Sequence, residues 1–155
     1  MAETSAGGLI AAGLLAQPGA SKYFAGGVVT YTKESKLKLL GLDSEKTKPT
    51  STEPHAFELA MAVRTTLGSD WAIGETGVAG PSPNSRGIAP GVGAIAVVGP
   101  NNARLTKSIF PDDELSASDA YGQARKVPRD EQMQIFMDEA LELLCDLVER
   151  EGPGE

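Results

Sequence analysis

The fold of this chain is decided by residues 3–8, ETSAGG, and by the apolar run that follows them to Gln17. Two hydroxyl-bearing residues stand directly before a glycine pair, and the helix breaker Pro18-Gly19 closes the run. This order predicts a turn that leads into a short helix over residues 7–17. Backbone N–H groups converge where such a helix begins, and the helix dipole is positive there. A hydroxyl at this turn is therefore expected beside amide donors.

Two further motifs lie downstream, GGVVTYTKESK at residues 26–36 and TGVAGP at residues 76–81. The β-branched residues of the first predict a strand over residues 27–32, and a short helix follows from Glu34 to Leu40. The second motif comes after a buried strand predicted at residues 71–74. Because its glycines let the backbone approach a ligand closely, we expect this motif to contact one.

The rest of the chain alternates between helices and short strands. A hydroxyl cap at Thr52 and a proline in the first turn predict a helix that ends at Gly68. The other predicted segments are a glycine-rich loop at 80–91, strands at 94–98 and 104–110, an acidic irregular segment at 111–127 and an amphipathic helix at 128–150. This alternation predicts a layered α/β fold, with one domain at residues 1–150 and a disordered tail at 151–155.

Composition and charge exclude several classes of protein. The chain has 155 residues, 41% of them hydrophobic and 23% charged, as in a globular domain with one core. A net charge of −7 argues against nucleic-acid binding, although a few cations and helix amides can still hold one phosphate. No segment has the length of a membrane span, and the N-terminus has no signal-peptide pattern. We therefore expect a cytoplasmic protein.

The single cysteine and the single histidine offer little chemistry at the level of sequence. Cys145 lies within the apolar pattern of the last helix, so we expect a buried, inert thiol. His55 stands beside Pro54 in the first turn of a predicted helix, where we expect a solvated or capping role. One histidine is too little for a histidine-based metal site or a Ser-His-Asp triad, so neither a metal nor a cofactor is predicted.

The three motifs, in this order and at this spacing, resemble the C-terminal domain of the competence-damage-inducible protein A (CinA) family, whose bacterial members include nicotinamide mononucleotide deamidases. The resemblance extends from Glu3 to Leu147. It implies a single layered α-β-α domain of the CinA C-terminal type. The family normally has a helix and a strand before the first motif, and we expect both to be missing here.

The resemblance implies a catalytic dyad of Thr4 and Lys36. The family pattern is Glu-Ser-x-Thr-Gly-Gly, in which the serine is the nucleophile of the deamidases, and Thr4 stands at that position. Threonine retains the hydroxyl, but its extra methyl group crowds the attack. Lys36 matches a family lysine, which acts as a base only when its pKa is lowered. The alternatives are that Thr4 and Ser5 merely cap the helix, and that Lys36 is a solvated helix lysine like Lys38.

The same resemblance assigns further residues to the pocket. Tyr31 and Ser21 match a family tyrosine and serine that would orient the dyad; the alternatives are a half-buried strand residue and a turn hydroxyl. Arg129 matches an arginine that opens the last helix. A cation is electrostatically unfavourable at a helix N-terminus, so its presence there favours a phosphate-binding role. The substrate-binding residues implied by the resemblance are Ser5, Gly7, Gly8, Ser21, Thr76, Gly77, Ala79, Gly80 and Arg129. Amides near Gly7, Gly8 and Gly77 would hold an oxyanion or a phosphate.

The chain departs from the family pattern at several positions. Ala6 replaces the family's threonine, and Met133 replaces a second arginine of the last helix, which should weaken phosphate binding. Arg86 lies where the family has a glycine run and a Lys-Pro, and is either a substitute cation or a surface residue. Glu53 and the cap Thr52 match a family Ser-Glu pair. Helix capping is enough to explain both residues.

The implied function is hydrolysis of the amide of nicotinamide mononucleotide to nicotinate mononucleotide and ammonia, a reaction of NAD metabolism. One alternative is a nucleotide-binding or oligomerisation module that has lost hydrolysis, which Thr4, Met133 and the missing strand would support. Another is a structural protein in which residues 76–81 form only a turn. Because related domains are commonly oligomeric, we expect a homo-oligomer that binds a small nucleotide.

Overall fold

A computed structural model describes residues 1–43, 45–111 and 127–152. The strands are β1 (Ala2–Glu3), β2 (Val28–Val29), β3 (Ala72–Gly77), β4 (Gly93–Val98) and β5 (Arg104–Ile109). The α-helices are α1 (Leu9–Leu15), α2 (Lys33–Leu40), α3 (Glu53–Leu67) and α4 (Arg129–Glu151). Two short 3-10 turns lie at Ala20–Lys22 and Pro100–Asn102. The expected tail beyond residue 152 and residues 112–126 of the expected irregular segment lie outside the described residues.

The strands form one mixed sheet in the order β2-β1-β3-β4-β5. β1 is parallel to both of its neighbours, whereas β3, β4 and β5 pair antiparallel. From β1 the chain passes through α1 to β2 on one side, and it returns through α2 and α3 to β3 on the other. Such a reversal leaves a crevice at the carboxyl ends of the two strands beside it. In this chain that switch point lies between β1 and β3, and we call the carboxyl edge of these two strands the crevice.

Helices cover both faces of the sheet, which confirms the layered α-β-α fold. Side chains alternate along each strand, so that Ile73 and Ile95 join the cluster that contains Ile10 of α1 and Phe136 of α4. On the opposite face, the small side chains of β3 and β4 pack against α3; this cluster includes Ala72, Ala94, Ala96, Ala56, Leu59 and Val63. Alanines at this interface allow a close approach of helix and sheet.

Helix boundaries follow the expected caps. The Thr52 hydroxyl accepts from the His55 amide at 3.4 Å, and Thr32 caps α2 in the same way through Ser35 at 3.1 Å. Gly41 and Gly68 end α2 and α3 in the left-handed conformation, which costs glycine little. The strand expected at residues 71–74 continues to Gly77, so Glu75 and Thr76 belong to the sheet.

A helix and a strand before the first motif were expected to be missing, and the structure has a two-residue strand there: Ala2 and Glu3 form β1 at the centre of the parallel part. Its place is held by backbone hydrogen bonds from Val28 to Met1 at 3.0 Å and from Thr30 to Glu3 at 2.9 Å. Cys145 is exposed, not buried, because it lies on the outer side of α4. Within the described residues, no helix has the length and apolar character needed to cross a membrane.

Candidate functional site

The residues of the first and third motifs meet at the crevice between β1 and β3. Residues 4–8 leave the carboxyl end of β1, and Glu75 and Thr76 lie near the carboxyl end of β3. Because the two strands are parallel, these ends lie at the same edge of the sheet. The sequence predicted this convergence only through the family resemblance.

Thr4 has a hydroxyl with no hydrogen-bond partner among the described residues. The residue is 9% exposed, and Oγ1 itself is buried. Its backbone N–H donates to Glu75 Oε2 at 2.8 Å. A buried hydroxyl without a partner costs free energy unless a ligand atom or water completes its hydrogen bonding.

Glu75 is the main site residue that the sequence analysis missed. Its carboxylate is fully buried and accepts from the amides of Thr4 and Ala6, at 2.8 and 3.0 Å, and from the Ser5 hydroxyl. Burial raises the pKa of the Glu75 carboxyl, although these three hydrogen bonds oppose the effect. An acidic residue inside an otherwise apolar strand, directly before TGVAGP, was the available signal.

The cap of α1 is a carboxylate and not a hydroxyl. Glu3 is fully buried and accepts from the amides of Ile10 and Ala11, both at 3.2 Å. The alternative in which Thr4 and Ser5 serve only as helix caps is therefore wrong. Ser5, expected among the substrate-binding residues, donates its hydroxyl to Glu75 in the interior.

The glycine pair keeps free amide donors at the turn. Gly7 and Gly8 have φ angles of 66° and 107°, in the region that favours glycine. No acceptor for either amide occurs in residues 1–43, 45–111 or 127–152. The side chain of Met133 lies over this turn, since a Cβ on Gly7 would be 2.6 Å from its Cε. The turn thus offers backbone donors beside Thr4, under an apolar cover.

Lys36 is buried, so the alternative of a solvated lysine is wrong. It is 8% exposed, whereas Lys38 on the same helix is exposed. Burial lowers the pKa of the Lys36 amine, and the charge of Glu75 partly opposes this. The Glu75 carboxylate thus accepts from the Thr4 backbone amide and acts on Lys36 through its charge, but the Thr4 hydroxyl makes no direct hydrogen bond to the amine.

His55 is neither solvated nor a cap, in contrast to the expectation from its position. It is fully buried, and its Nε2 lies 3.3 Å from Lys36 Nζ. On the other side of the ring, Nδ1 lies 3.1 Å from Thr47 Oγ1 and 3.3 Å from Glu58 Oε2. Burial and then the Lys36 charge lower the pKa of His55. The expectation was wrong because it left out a tertiary contact: α2 packs against α3 and covers the first turn of α3.

A second group forms where β2 ends. The Arg129 guanidinium donates to the Gly80 carbonyl and, at 3.2 Å, to the Tyr31 hydroxyl. Tyr31 is 62% exposed, so it is a surface residue and not a half-buried strand residue. Arg129 thereby joins the second motif, the third motif and the start of α4.

The remaining expected site residues have varied surroundings. Thr76 Oγ1 accepts from the Ser51 amide at 3.1 Å, and Gly77 faces Phe136 and Ser5, since a Cβ there would lie 2.8 Å from each. Ala79 is buried in the core, so its side chain does not line the crevice.

Ser21 and Arg86 are not brought to the crevice. Ser21 is exposed in the turn after α1. This turn lies at the edge of the sheet where β1 and β2 begin, whereas Thr4 lies at the edge where β1 ends, so the two residues of one chain lie apart. Arg86 is exposed and donates to the Thr50 carbonyl at 3.1 Å.

Glu53 accepts from Thr106 and Ser108 on β5, and so joins α3 to the sheet. Among the described residues, no group of three or more His, Cys, Asp or Glu side chains could hold a metal ion.

Known proteins with this arrangement are similar over most of the chain. A CinA-like protein of Gloeobacter violaceus is 40% identical over 109 residues, which are 69% of this chain and 26% of that protein. A putative competence-damage inducible protein of Desulforamulus reducens is 39% identical over 73% of this chain and 28% of its own length. The chain thus spans about a quarter of the length of these relatives.

Solved structures share the fold. The crystal structure of a competence/damage inducible protein from Agrobacterium tumefaciens has a TM-score of 0.77 and 28% identity, covering 94% of this chain and 82% of that one. A CinA superfamily protein from Escherichia coli has a TM-score of 0.75 at 23% identity, covering 94% of this chain and 77% of that one. Residues 1–147 also match the family described as the CinA C-terminal domain. The chain belongs to the CinA C-terminal domain family.

Proposed function

We propose that this domain is an amidohydrolase that converts nicotinamide mononucleotide to nicotinate mononucleotide and ammonia. The observation that carries the proposal is the buried, unpartnered hydroxyl of Thr4 at the carboxyl edge of β1. The family membership and the free amides of Gly7 and Gly8 support it. Substrate identity comes from the family resemblance.

In the proposed reaction, Thr4 Oγ1 attacks the amide carbon and the Lys36 amine takes the hydroxyl proton. The carbonyl oxygen becomes an oxyanion, which the amides of Gly7 and Gly8 stabilise. Collapse of this intermediate transfers the proton from Lys36 to the leaving nitrogen and releases ammonia. A water molecule, deprotonated by Lys36, then attacks the threonyl ester and releases the acid.

The burial of Lys36 suits this role because a base must be neutral before it accepts a proton. Desolvation disfavours the charged ammonium and lowers the pKa of Lys36. Turnover should therefore rise with pH through this lowered pKa, since only the deprotonated amine is active.

The phosphate of the nucleotide is assigned to Arg129. A guanidinium has five N–H donors, and the contacts with Gly80 and Tyr31 use two of them. Within the described residues, donors thus remain for phosphate oxygens at the same edge of the sheet, where Tyr31 is accessible. Met133 supplies no second cation there, so we expect weak affinity for the substrate.

The test is ammonia release from nicotinamide mononucleotide by the chain and its variants. We expect Thr4→Ala and Lys36→Ala each to reduce kcat by about 10²- to 10⁴-fold, the usual contribution of such groups. Thr66→Ala and Lys38→Ala are matched controls on exposed positions and should retain the activity of the unmodified chain. Thr4→Ser should retain or gain turnover because it removes the crowding methyl. Undiminished turnover by Thr4→Ala would contradict the mechanism.

A second candidate is a nucleotide-binding module without hydrolysis. Two observations favour it: Thr4 and Lys36 are not hydrogen-bonded, and the amides of Thr4 and Ala6 already donate to Glu75. In that case nicotinamide mononucleotide would raise the Tm of the chain while no ammonia is released.

A further inference from the structure

We infer that His55 is a positioning residue for Lys36: its Nε2 accepts a hydrogen bond from the lysine amine, and Glu58 fixes the imidazole so that this acceptor always faces Lys36. The inference rests on the proposed function for its consequence in hydrolysis. The series of hydrogen bonds from Lys36 through His55 to Glu58 can itself be tested without turnover.

The tautomer of His55 follows from its neighbours. Glu58 Oε2, 3.3 Å from Nδ1, accepts hydrogen bonds and donates none when it is ionised. A lysine amine, 3.3 Å from Nε2, can always donate. Only the ring with its proton on Nδ1 satisfies Glu58, because a bare Nδ1 would place two acceptors opposite each other, and Nε2 is then left to accept from the amine.

Hydrogen bonds to its carboxylate favour the ionised form of Glu58, the form that accepts from His55 Nδ1. Its Oε2 accepts from the Lys48 amide and from the Thr47 hydroxyl, both at 2.8 Å. Burial acts to raise the pKa of Glu58, but the hydrogen bonds from Lys48, Thr47 and His55 outweigh it and leave the pKa below its ordinary value. A carboxylate behind a histidine fixes the tautomer and orientation of the ring, as in other carboxylate-histidine pairs.

Among the described residues, few charged groups face the series of hydrogen bonds that joins Lys36, His55 and Glu58. Lys36 is faced by His55 from α3 and by Glu75 from β3, and His55 by Lys36 and Glu58. Burial and the Lys36 charge lower the pKa of His55, which favours the neutral ring. A neutral ring with a free Nε2 lone pair is the form that can accept from the amine.

The consequence concerns the lone pair that makes Lys36 a base. A neutral amine has two N–H groups and one lone pair, and a lysine side chain has four flexible bonds. Anchoring one N–H on His55 restricts the rotation of the amine about its terminal bond. The lone pair is then held in one of few directions, which favours proton transfer from a fixed hydroxyl.

The experiment compares the unmodified chain with His55→Leu, His55→Gln and Glu58→Gln. The titration of Lys36 is followed by NMR of ¹³C-labelled lysine side chains, with Lys36→Arg to assign its signal. The pH profile of kcat/KM for nicotinamide mononucleotide is measured on the same proteins. Glu45→Gln, an exposed carboxylate in the loop before α3, is the control.

We expect His55→Leu to lower the pKa of Lys36, because the ammonium form loses its hydrogen-bond acceptor. The acid limb of the pH profile should move to lower pH in parallel, and kcat should fall by about 10²-fold, the loss that a misplaced catalytic group causes. Glu58→Gln should produce a smaller change of the same sign. His55→Gln supplies a side-chain carbonyl and should restore part of both effects.

A merely structural histidine would alter Tm and leave the Lys36 titration unchanged. An unchanged Lys36 pKa in both His55→Leu and Glu58→Gln would overturn the inference, even if activity fell. If the unmodified chain releases no ammonia, the proposed function fails. The NMR titration then still decides whether His55 and Glu58 control the Lys36 amine.

Discussion

Replacing Gly74 with alanine is expected to lower the free energy of unfolding by more than about 4 kcal/mol, which would leave little folded protein. A Cβ at this position would lie 2.0 Å from the Ala56 carbonyl oxygen and 2.5 Å from the Ala60 amide nitrogen. Both atoms belong to the backbone of α3, which packs on β3 and β4 through fully buried alanines. The methyl group therefore fits only if the helix moves away from the sheet and opens the core.

Gly13→Ala is the matched control for this substitution. Its Cβ would lie 2.8 Å from Leu141 Cδ1, which is the end of a flexible side chain and can move. Alanine also favours the helix by about 1 kcal/mol relative to glycine, so we expect a change close to zero. Urea unfolding followed by circular dichroism measures both variants. A Gly74→Ala protein as stable as the control would show that α3 and β3 are less closely packed.

Replacing Glu75 with alanine should reduce the free energy of unfolding by about 3–5 kcal/mol. The carboxylate is the acceptor for the amides of Thr4 and Ala6 and for the hydroxyl of Ser5. Alanine leaves these buried donors without a partner and opens a cavity at the crevice. Because these donors hold the turn that carries Thr4, the variant should also lose the proposed activity.

The substitution Glu75→Gln removes the charge at this position and retains the hydrogen bonds. The amide oxygen of glutamine can accept from both backbone amides, and its NH₂ group can donate to the Ser5 oxygen, so we expect the fold to persist. Burial raises the pKa of Glu75 above its ordinary value of 4.5, which means that the folded state binds the proton more tightly than the unfolded state. The stability from this group is full below pH 4.5 and is lost as the pH rises through the folded pKa.

Glu75→Gln should therefore abolish this decline, and its stability relative to the unmodified chain should increase as the pH rises above 4.5. Urea unfolding at a series of pH values measures the difference between the two proteins. The same slope in both proteins would mean that Glu75 does not titrate differently in the folded and unfolded states. Glu53→Gln, a partly buried carboxylate on α3 with no bond to the crevice, is the control.

Much of the fold could be predicted because its signals are local. Thr52 and Pro54 mark the start of α3, Gly41 and Gly68 mark helix ends, and a β-branched run marks β2. The buried strand before TGVAGP was predicted too short, since a pattern of apolar residues ends at an acidic side chain. Glu75 belongs to β3 because its carboxylate is satisfied by residues 69 to 71 positions earlier in the chain.

The sequence by itself determined the family, the order of the elements and the glycines at which the chain turns, because motifs and caps act over a few residues. Only the tertiary structure decided the chemical state of the site. Lys36 is buried, and His55 contacts it, because α2 folds over the start of α3, 19 residues away along the chain. Proton affinity depends on burial and on neighbours from other elements, and neither can be read from a residue's own segment.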